Sequence, residues 1–172
     1  LAAADHLLDI HSTSQDVEPF WVYPGFARNG EVALAIGRPQ VHLVMPDGLG
    51  SGTPLIQYGH FAGLDGTGAA MVVECGQHFR KASSDLATRV ARDFLAHFGL
   101  LERDADAAPA GVQRRFELLQ TYVVKTPEFK FSRPCVGFEV FAKGELIATD
   151  GPDEIRAPCD DCTILMPART AI

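Results

Sequence analysis

One apolar segment that ends in an Asp-x-His step constrains the fold of this sequence more than any other feature. The segment reads AADHLLDIH and contains no Gly or Pro before its polar end at Asp9 and His11. Such a run is typical of a central strand covered on both faces, which favours an α/β sheet. Open α/β sheets bind ligands at the carboxyl ends of their strands, so the polar end is expected at the site.

Further strands and helices are predicted downstream. QVHLVMP and GAAMVVECG read as strands, and the second of them delivers Glu74. The segment SSDLATRVARDFLAHFG has apolar residues at helical spacing, an N-cap candidate at Ser83 or Ser84, and Gly99 where a helix ends. It is predicted to be a helix that covers the core.

Two shorter elements are predicted with less regular patterns. In PGFARNGEVALAIGRP, Asn29-Gly30 indicates a turn or cap before a short apolar helix that Gly37 stops. The segment TPLIQYGHFAG reads as a helix of one or two turns with Thr53 as N-cap and Pro54 at the first position. Between them, DGLGSGT is predicted to be a mobile loop, since its glycines lack the order of a phosphate-binding motif.

The composition changes after residue 103. Residues 104–112 carry acids, alanines, a Pro and a Gly without any period, which predicts a linker. Residues 1–103 are expected to form the α/β domain, and residues 113–172 a small all-β domain, because short β-rich segments alternate there with turn residues.

Charge and composition exclude several classes of function. The net charge is -7, from 15 basic and 22 acidic residues, and no block of Lys or Arg is present. Nucleic acid and anionic membrane surfaces are therefore not expected as partners. Four cysteines are too few for a disulfide framework in 172 residues. With no signal-peptide pattern, the cytoplasm is the expected location.

Two polar positions are candidates for chemistry. Side chains alternate along a strand, so Asp9 and His11 share one face, and Asp9 is placed to hold the second ring nitrogen of a ligand histidine. Glu74 follows four apolar residues at the expected end of a strand, where partial desolvation would favour a working base. Taken singly, each position also fits an ordinary strand end, with His11 bonded to a turn and Glu74 beginning a loop.

Together these segments resemble a known family. DIHSTSQ and FWVYP, followed later by VECG, resemble the succinylglutamate desuccinylase/aspartoacylase family, which is related to the zinc carboxypeptidases. The phrase GELIATDGPDEIRAPCDDCTIL resembles the β domain of that family. The resemblance covers nearly the whole chain and implies a mixed sheet of the zinc-carboxypeptidase type with flanking helices, followed by the small all-β domain.

The resemblance also implies a function and its residues. It implies zinc-dependent hydrolysis of the amide bond in an N-acyl amino acid, with Zn²⁺ as cofactor and that small molecule as substrate. His11 is the implied zinc ligand and Glu74 the implied general base, while Ser12 and Thr13 would line the substrate side. The His-x-x-Glu segment and the Asn-Arg pair of the family are missing from this sequence. A C-terminal portion of a longer enzyme, possessing only part of the site, is therefore expected.

Three alternatives remain open at this stage. The first alternative is a zinc carboxypeptidase, which is close to the amide hydrolase described above, since IHSTSQ also resembles the corresponding carboxypeptidase strand end. The second alternative is a non-catalytic binding or carrier module, although the candidate turn holds Asp160-Asp161 rather than a lysine. Cys159 and Cys162 have the spacing of half a zinc ribbon, without a second such pair. The sequence leaves the oligomeric state open and allows an oligomer.

Overall fold

A mixed five-stranded sheet organises the first part of the chain. The structure, a computed structural model, describes residues 3–46, 52–103 and 111–167. Within these ranges the strands are β1 (Leu7–Thr13), β2 (Phe20–Pro24), β3 (Val41–Met45), β4 (Ala70–Gln77), β5 (Arg114–Glu117), β6 (Lys130–Phe131), β7 (Val140–Phe141), β8 (Leu146–Asp150), β9 (Asp153–Arg156) and β10 (Cys162–Thr163). The helices are α1 (Ala27–Ile36) and α2 (Lys81–His97).

The strand order in the large sheet is β1-β4-β2-β3-β5. β1 runs parallel to β4, β4 antiparallel to β2, and β2, β3 and β5 run parallel to one another. This arrangement confirms the predicted α/β class with a mixed sheet.

The two faces of this sheet are covered differently. Trp21 and Val73 face a core cluster that also holds Val90 and Phe94 of α2 and Val32 of α1. Both helices therefore pack on the same face of the sheet. The opposite face meets two short 3-10 turns, Leu55–Gln57 and Gly59–Phe61. The second cluster that joins them consists of Ile56, Phe61 and Ala70, with Leu7 and Val72 packed against it.

The chain divides into two compact units. The first contains Leu1–Ser14 and Glu18–Thr121, and the second contains Gln15–Val17 and Tyr122–Ile172. In the second unit, β6, β8 and β9 form a three-stranded sheet and β7 pairs with β10. Its core is a separate cluster of buried residues, namely Cys135, Phe141, Ile147, Ala148 and Ala157.

Helix α2 and strands β3 and β4 were predicted in place, whereas other elements differ. β1 pairs only with β4 within the described residues, so it lies at an edge rather than in the centre. Ile10 is accordingly 45% exposed. The prediction of a central strand for β1 used its apolar run alone, and such a run does not show how many neighbouring strands pair with it.

Asn29 and Gly30 lie inside α1 and do not form the predicted turn. Asn29 is fully buried, and its side chain donates to the Pro24 carbonyl and accepts from the Ala70 amide. Bonds to distant backbone groups therefore satisfy a residue that would otherwise favour a turn. The helix ends at Gly37, whose φ of 73° is the left-handed conformation that glycine adopts readily.

The segment after Thr53 also differs from its prediction. It forms the two 3-10 turns with Pro54 before the first of them, instead of one helix capped by Thr53. Glu74 lies within β4 rather than at its end. α2 begins at Lys81, and Ser83 does not cap it, because the Ser83 hydroxyl donates to the Gln77 carbonyl.

β5 pairs with β3 in the first unit, although residues from 113 onward were grouped with the β module. The apolar pattern of so short a strand does not reveal which sheet it joins.

Most of the predicted linker (104–110) and most of the predicted DGLGSGT loop (47–51) lie outside the described residues. In the described part of the chain, no helix has the length and apolar character needed to cross a membrane.

Candidate active site

The parallel pairing of β1 with β4 places His11 directly opposite Glu74. Side chains alternate along each strand, so Asp9 and His11 share the sheet face with Val72 and Glu74. This is the face opposite the helices. The sheet register therefore brings together two positions that are far apart in the sequence.

The ring of His11 lies between two carboxylates. Its Nε2 is 3.2 Å from Asp9 Oδ1, and its Nδ1 is 3.6 Å from Glu74 Oε1. The His11 side chain is 49% exposed, while that of Glu74 is only 12% exposed. The Asp9 contact follows the predicted period of two. It allows Nε2 to carry the proton, which leaves the Nδ1 lone pair directed toward the Glu74 side.

The Glu74 carboxylate is held in a partly desolvated position. Its Oε2 is buried and has no hydrogen-bond partner among the described residues. Burial raises the pKa of Glu74, and the neighbouring His11 and His78 act in the opposite direction.

Cys75 follows Glu74 in the strand, and burial together with the Glu74 charge raises the pKa of the Cys75 thiol to about 11. Cys75 is thus a packing residue rather than a nucleophile.

The end of β1 bends where the candidate substrate residues lie. The register with β4 shifts between His11 and Thr13, so simple alternation ends there. Ser12 is exposed, and its Oγ lies 2.8 Å from His78 Nδ1. Thr13 is only 3% exposed, and its carbonyl accepts a bond from the His78 amide. Substrate contacts by Ser12 and Thr13 stay predictions.

Sequence reasoning missed His78 as part of this cluster. The search for a His-x-x-Glu segment passed over His78, because a lysine, Lys81, lies three residues after it. The position of His78 four residues after Glu74 was the available signal.

The cluster fits part of a zinc centre. An imidazole nitrogen beside a largely buried carboxylate, whose other oxygen has no partner among the described residues, matches one zinc ligand and one base. A catalytic zinc needs about three protein ligands. Among the described residues, no group of three or more His, Cys, Asp or Glu side chains could hold a metal ion. Residues 3–46, 52–103 and 111–167 therefore do not hold the full ligand set of such a centre.

Comparison with solved structures gives the fold. Succinylglutamate desuccinylase from Vibrio cholerae matches with a TM-score of 0.68 at 20% identity, over 96% of this chain and 49% of that protein. A succinylglutamate desuccinylase/aspartoacylase from Rhodobacter sphaeroides matches with a TM-score of 0.62 at 18% identity, over 99% of this chain and 56% of that protein. The chain has the succinylglutamate desuccinylase/aspartoacylase fold.

A further match with this desuccinylase/aspartoacylase fold carries a ligand. The product-bound ectoine utilization protein EutE from Ruegeria pomeroyi has a TM-score of 0.58 at 17% identity, over 99% of this chain and 58% of that protein. The chain thus spans about half the length of the solved structures that it matches. No family model and no curated protein matches the sequence. The resemblance inferred from DIHSTSQ and VECG is confirmed at the level of the fold.

Proposed function

We propose that this protein is an amidohydrolase that cleaves the amide bond of an N-acyl amino acid with the help of zinc. The observation that carries the proposal is the placement of His11 between Asp9 and Glu74 in a desuccinylase/aspartoacylase fold. A small-molecule substrate suits this site, and the acidic chain offers no basic block for nucleic acid or an anionic membrane. The cytoplasm remains the predicted location.

In this proposal His11 would hold the metal through Nδ1. Asp9 accepts the Nε2 proton at 3.2 Å, which fixes both the tautomer and the ring orientation. When bound, zinc lowers the pKa of a water molecule toward about 7 and polarises the scissile carbonyl. The remaining ligands come from outside the described residues, either elsewhere in the protein or from a second copy of the chain.

Glu74 acts as the general base. Its carboxylate accepts a proton from the attacking water and then passes that proton to the departing amine. The Glu74 side chain is only 12% exposed, so its carboxylate is partly shielded from bulk water. Ser12 and Thr13, at the end of β1, are proposed to contact the substrate.

Hydrolysis assays with zinc test the proposal directly. Glu74→Gln keeps the size of the side chain but removes the base, so the rate should fall by about 10²–10⁴-fold. Glu31→Gln, which changes an exposed carboxylate of α1, is the matched control and should keep the full rate. Retention of activity in Glu74→Gln would refute the assigned base. Peptides tested in parallel decide between this deacylase and a carboxypeptidase, which would cleave them preferentially.

A further inference from the structure

The Ser12–His78 pair stands at the exposed rim of the candidate site. Ser12 Oγ and His78 Nδ1 are 2.8 Å apart, although the two residues lie 66 positions apart in the sequence. His78 is also close enough to Glu74 for its charge to influence that carboxylate. The pair therefore lies near the proposed base, and both of its residues are exposed.

The backbone holds His78 in this position. The His78 amide donates to the Thr13 carbonyl at 2.9 Å, which ties the segment after β4 to the end of β1. The preceding residue, Gln77, is fixed twice, because its carbonyl accepts from the Ser83 hydroxyl and its side-chain oxygen accepts from the Phe79 amide. An imidazole on a segment tied at both ends is preorganised for a ligand.

In the tautomer with the Ser12 hydroxyl donating to Nδ1, the ring proton of His78 resides on Nε2 and is available as a donor. Nε2 has no hydrogen-bond partner among the described residues, and the His78 side chain is exposed. The pair thus presents an N–H group to solvent beside the site.

A carboxylate is the ligand that this donor fits. An anionic substrate that enters the site faces the carboxylates of Asp9 and Glu74, which repel it. An oriented N–H donor at the rim offsets that repulsion, and hydrogen bonds to charged groups are the stronger class. We infer that His78 binds the carboxylate of an anionic N-acyl amino acid through Nε2–H, with Ser12 as the residue that positions its ring.

This inference rests on the proposed function, and it makes the substrate class specific. It assigns the free carboxylate of the substrate to the His78 side of the site and the scissile amide to the Glu74 side. Neutral amides of the same compounds should therefore bind more weakly, because they lack the charge that His78 selects.

Binding of N-acetylglycine and its neutral primary amide to the whole chain, measured by NMR titration, tests the inference. We expect the wild-type protein to prefer the acid about tenfold and the His78→Gln protein to lose that preference. His60→Gln, which changes a half-buried histidine next to the Phe61 ring, is the control and should keep it. Equal affinity for acid and amide in the wild-type protein, or no binding of either, would overturn the inference.

Ser12→Ala separates positioning from structural support. It should weaken binding of the acid more than binding of the amide, with a shift of the His78 ring signals that shows the lost bond. An unchanged affinity for the acid in this variant would remove Ser12 from the inference.

Kinetics distinguish a failure of the inference from a failure of the proposed function. If N-acetylglycine is hydrolysed, His78→Gln should raise its KM about tenfold and leave kcat nearly unchanged. Hydrolysis with an unchanged KM in His78→Gln would contradict the inference alone. Binding that depends on His78 but leads to no hydrolysis would contradict the proposed function alone.

Discussion

At the scale of single residues, a buried polar chain joins β2, β3 and the segment before β5. His42 Nδ1 lies 2.9 Å from the Tyr23 hydroxyl, and His42 Nε2 lies 2.7 Å from Gln113 Oε1. His42 is only 2% exposed. A neutral ring satisfies both bonds, with Nδ1 accepting from Tyr23 and Nε2–H donating to Gln113. Burial is the main reason why the pKa of His42 is lowered.

This histidine makes stability depend on pH. The pKa of His42 is lower in the folded protein than its ordinary value of 6.5, so the unfolded chain binds the proton more readily. The free energy of unfolding should therefore be highest above 6.5 and fall as the pH drops below that value. Urea unfolding at a series of pH values measures the decline, and His42→Gln should show a smaller one. An equal decline in both proteins would assign the effect to other groups.

Removal of the Tyr23 hydroxyl tests the same hydrogen-bonded chain of side chains at constant pH. Tyr23→Phe leaves His42 Nδ1 buried without a donor, while the aromatic ring keeps its packing. We expect a loss of about 1–3 kcal/mol in the free energy of unfolding. Tyr58→Phe is a suitable control, because Tyr58 is 60% exposed, and it should change little. If Tyr23→Phe lowers the free energy of unfolding by less than a few tenths of a kcal/mol, the bond is energetically neutral.

At the scale of elements, Arg28 connects α1 to the segment between the 3-10 turns and β4. Its guanidinium donates to the carbonyls of Phe61, Gly63, Leu64 and Gly68, at 2.8, 2.9, 3.4 and 3.0 Å. The fork geometry of arginine makes this set of bonds possible, and a lysine ammonium cannot reproduce it. Gly68 is crowded as well, since a Cβ there would lie 2.5 Å from the Asp5 carbonyl.

Arg28→Lys should therefore loosen this segment. We expect a destabilisation of about 1–3 kcal/mol, because two partly buried and two exposed carbonyls lose hydrogen bonds from a charged donor. Hydrogen exchange should show faster amide exchange around residues 61–70, while α2 keeps its protection. Arg89→Lys, an exposed position on α2, is the control. Unchanged exchange in Arg28→Lys would mean that the segment is held by packing alone.

In the second unit, Asp150 at the end of β8 ties down residues 122–126. Its carboxylate accepts from the Tyr122 hydroxyl, the Lys125 amide, and the Thr126 amide and hydroxyl. These bonds favour the ionised form and lower the pKa of Asp150 from 3.8 to about 2, the bond from the Thr126 hydroxyl having the largest effect.

The sign of the resulting pH dependence follows from that shift. The stabilisation is present above the ordinary value of 3.8 and is lost as the pH falls through about 2. Asp150→Asn should be less stable than the wild type at neutral pH, and the gap should close between these two values. Asp153→Asn, at an exposed ion pair with Lys125, should cost much less. A gap that stays constant with pH would contradict the assignment.

Local patterns in the sequence predicted α2, β3, β4 and the Asp9–His11 pair, because periodicity determines which residues share a face. They did not predict the edge position of β1, which depends on its pairing partners. Asn29 was predicted in a turn because the sequence does not show its bonds to Pro24 and Ala70, which satisfy its side chain inside α1. Ser12 and His78 were not connected, since no spacing rule links residues that only the β1–β4 register brings together.

At the scale of the whole molecule, the chain spans about half the length of the solved structures that share its fold. That half contains one candidate ligand and one candidate base on the same sheet face. We propose that zinc binds at the end of β1, whatever supplies the other ligands. Cys159 and Cys162 in the second unit offer the competing thiol site.

A zinc titration of the whole chain, followed through the ring signals of His11 by NMR, tests this claim most directly. We predict that zinc shifts the His11 signals first and that His11→Ala weakens zinc binding, while His60→Ala does not. Zinc that binds without any shift of His11, and equally well to His11→Ala, would contradict the account.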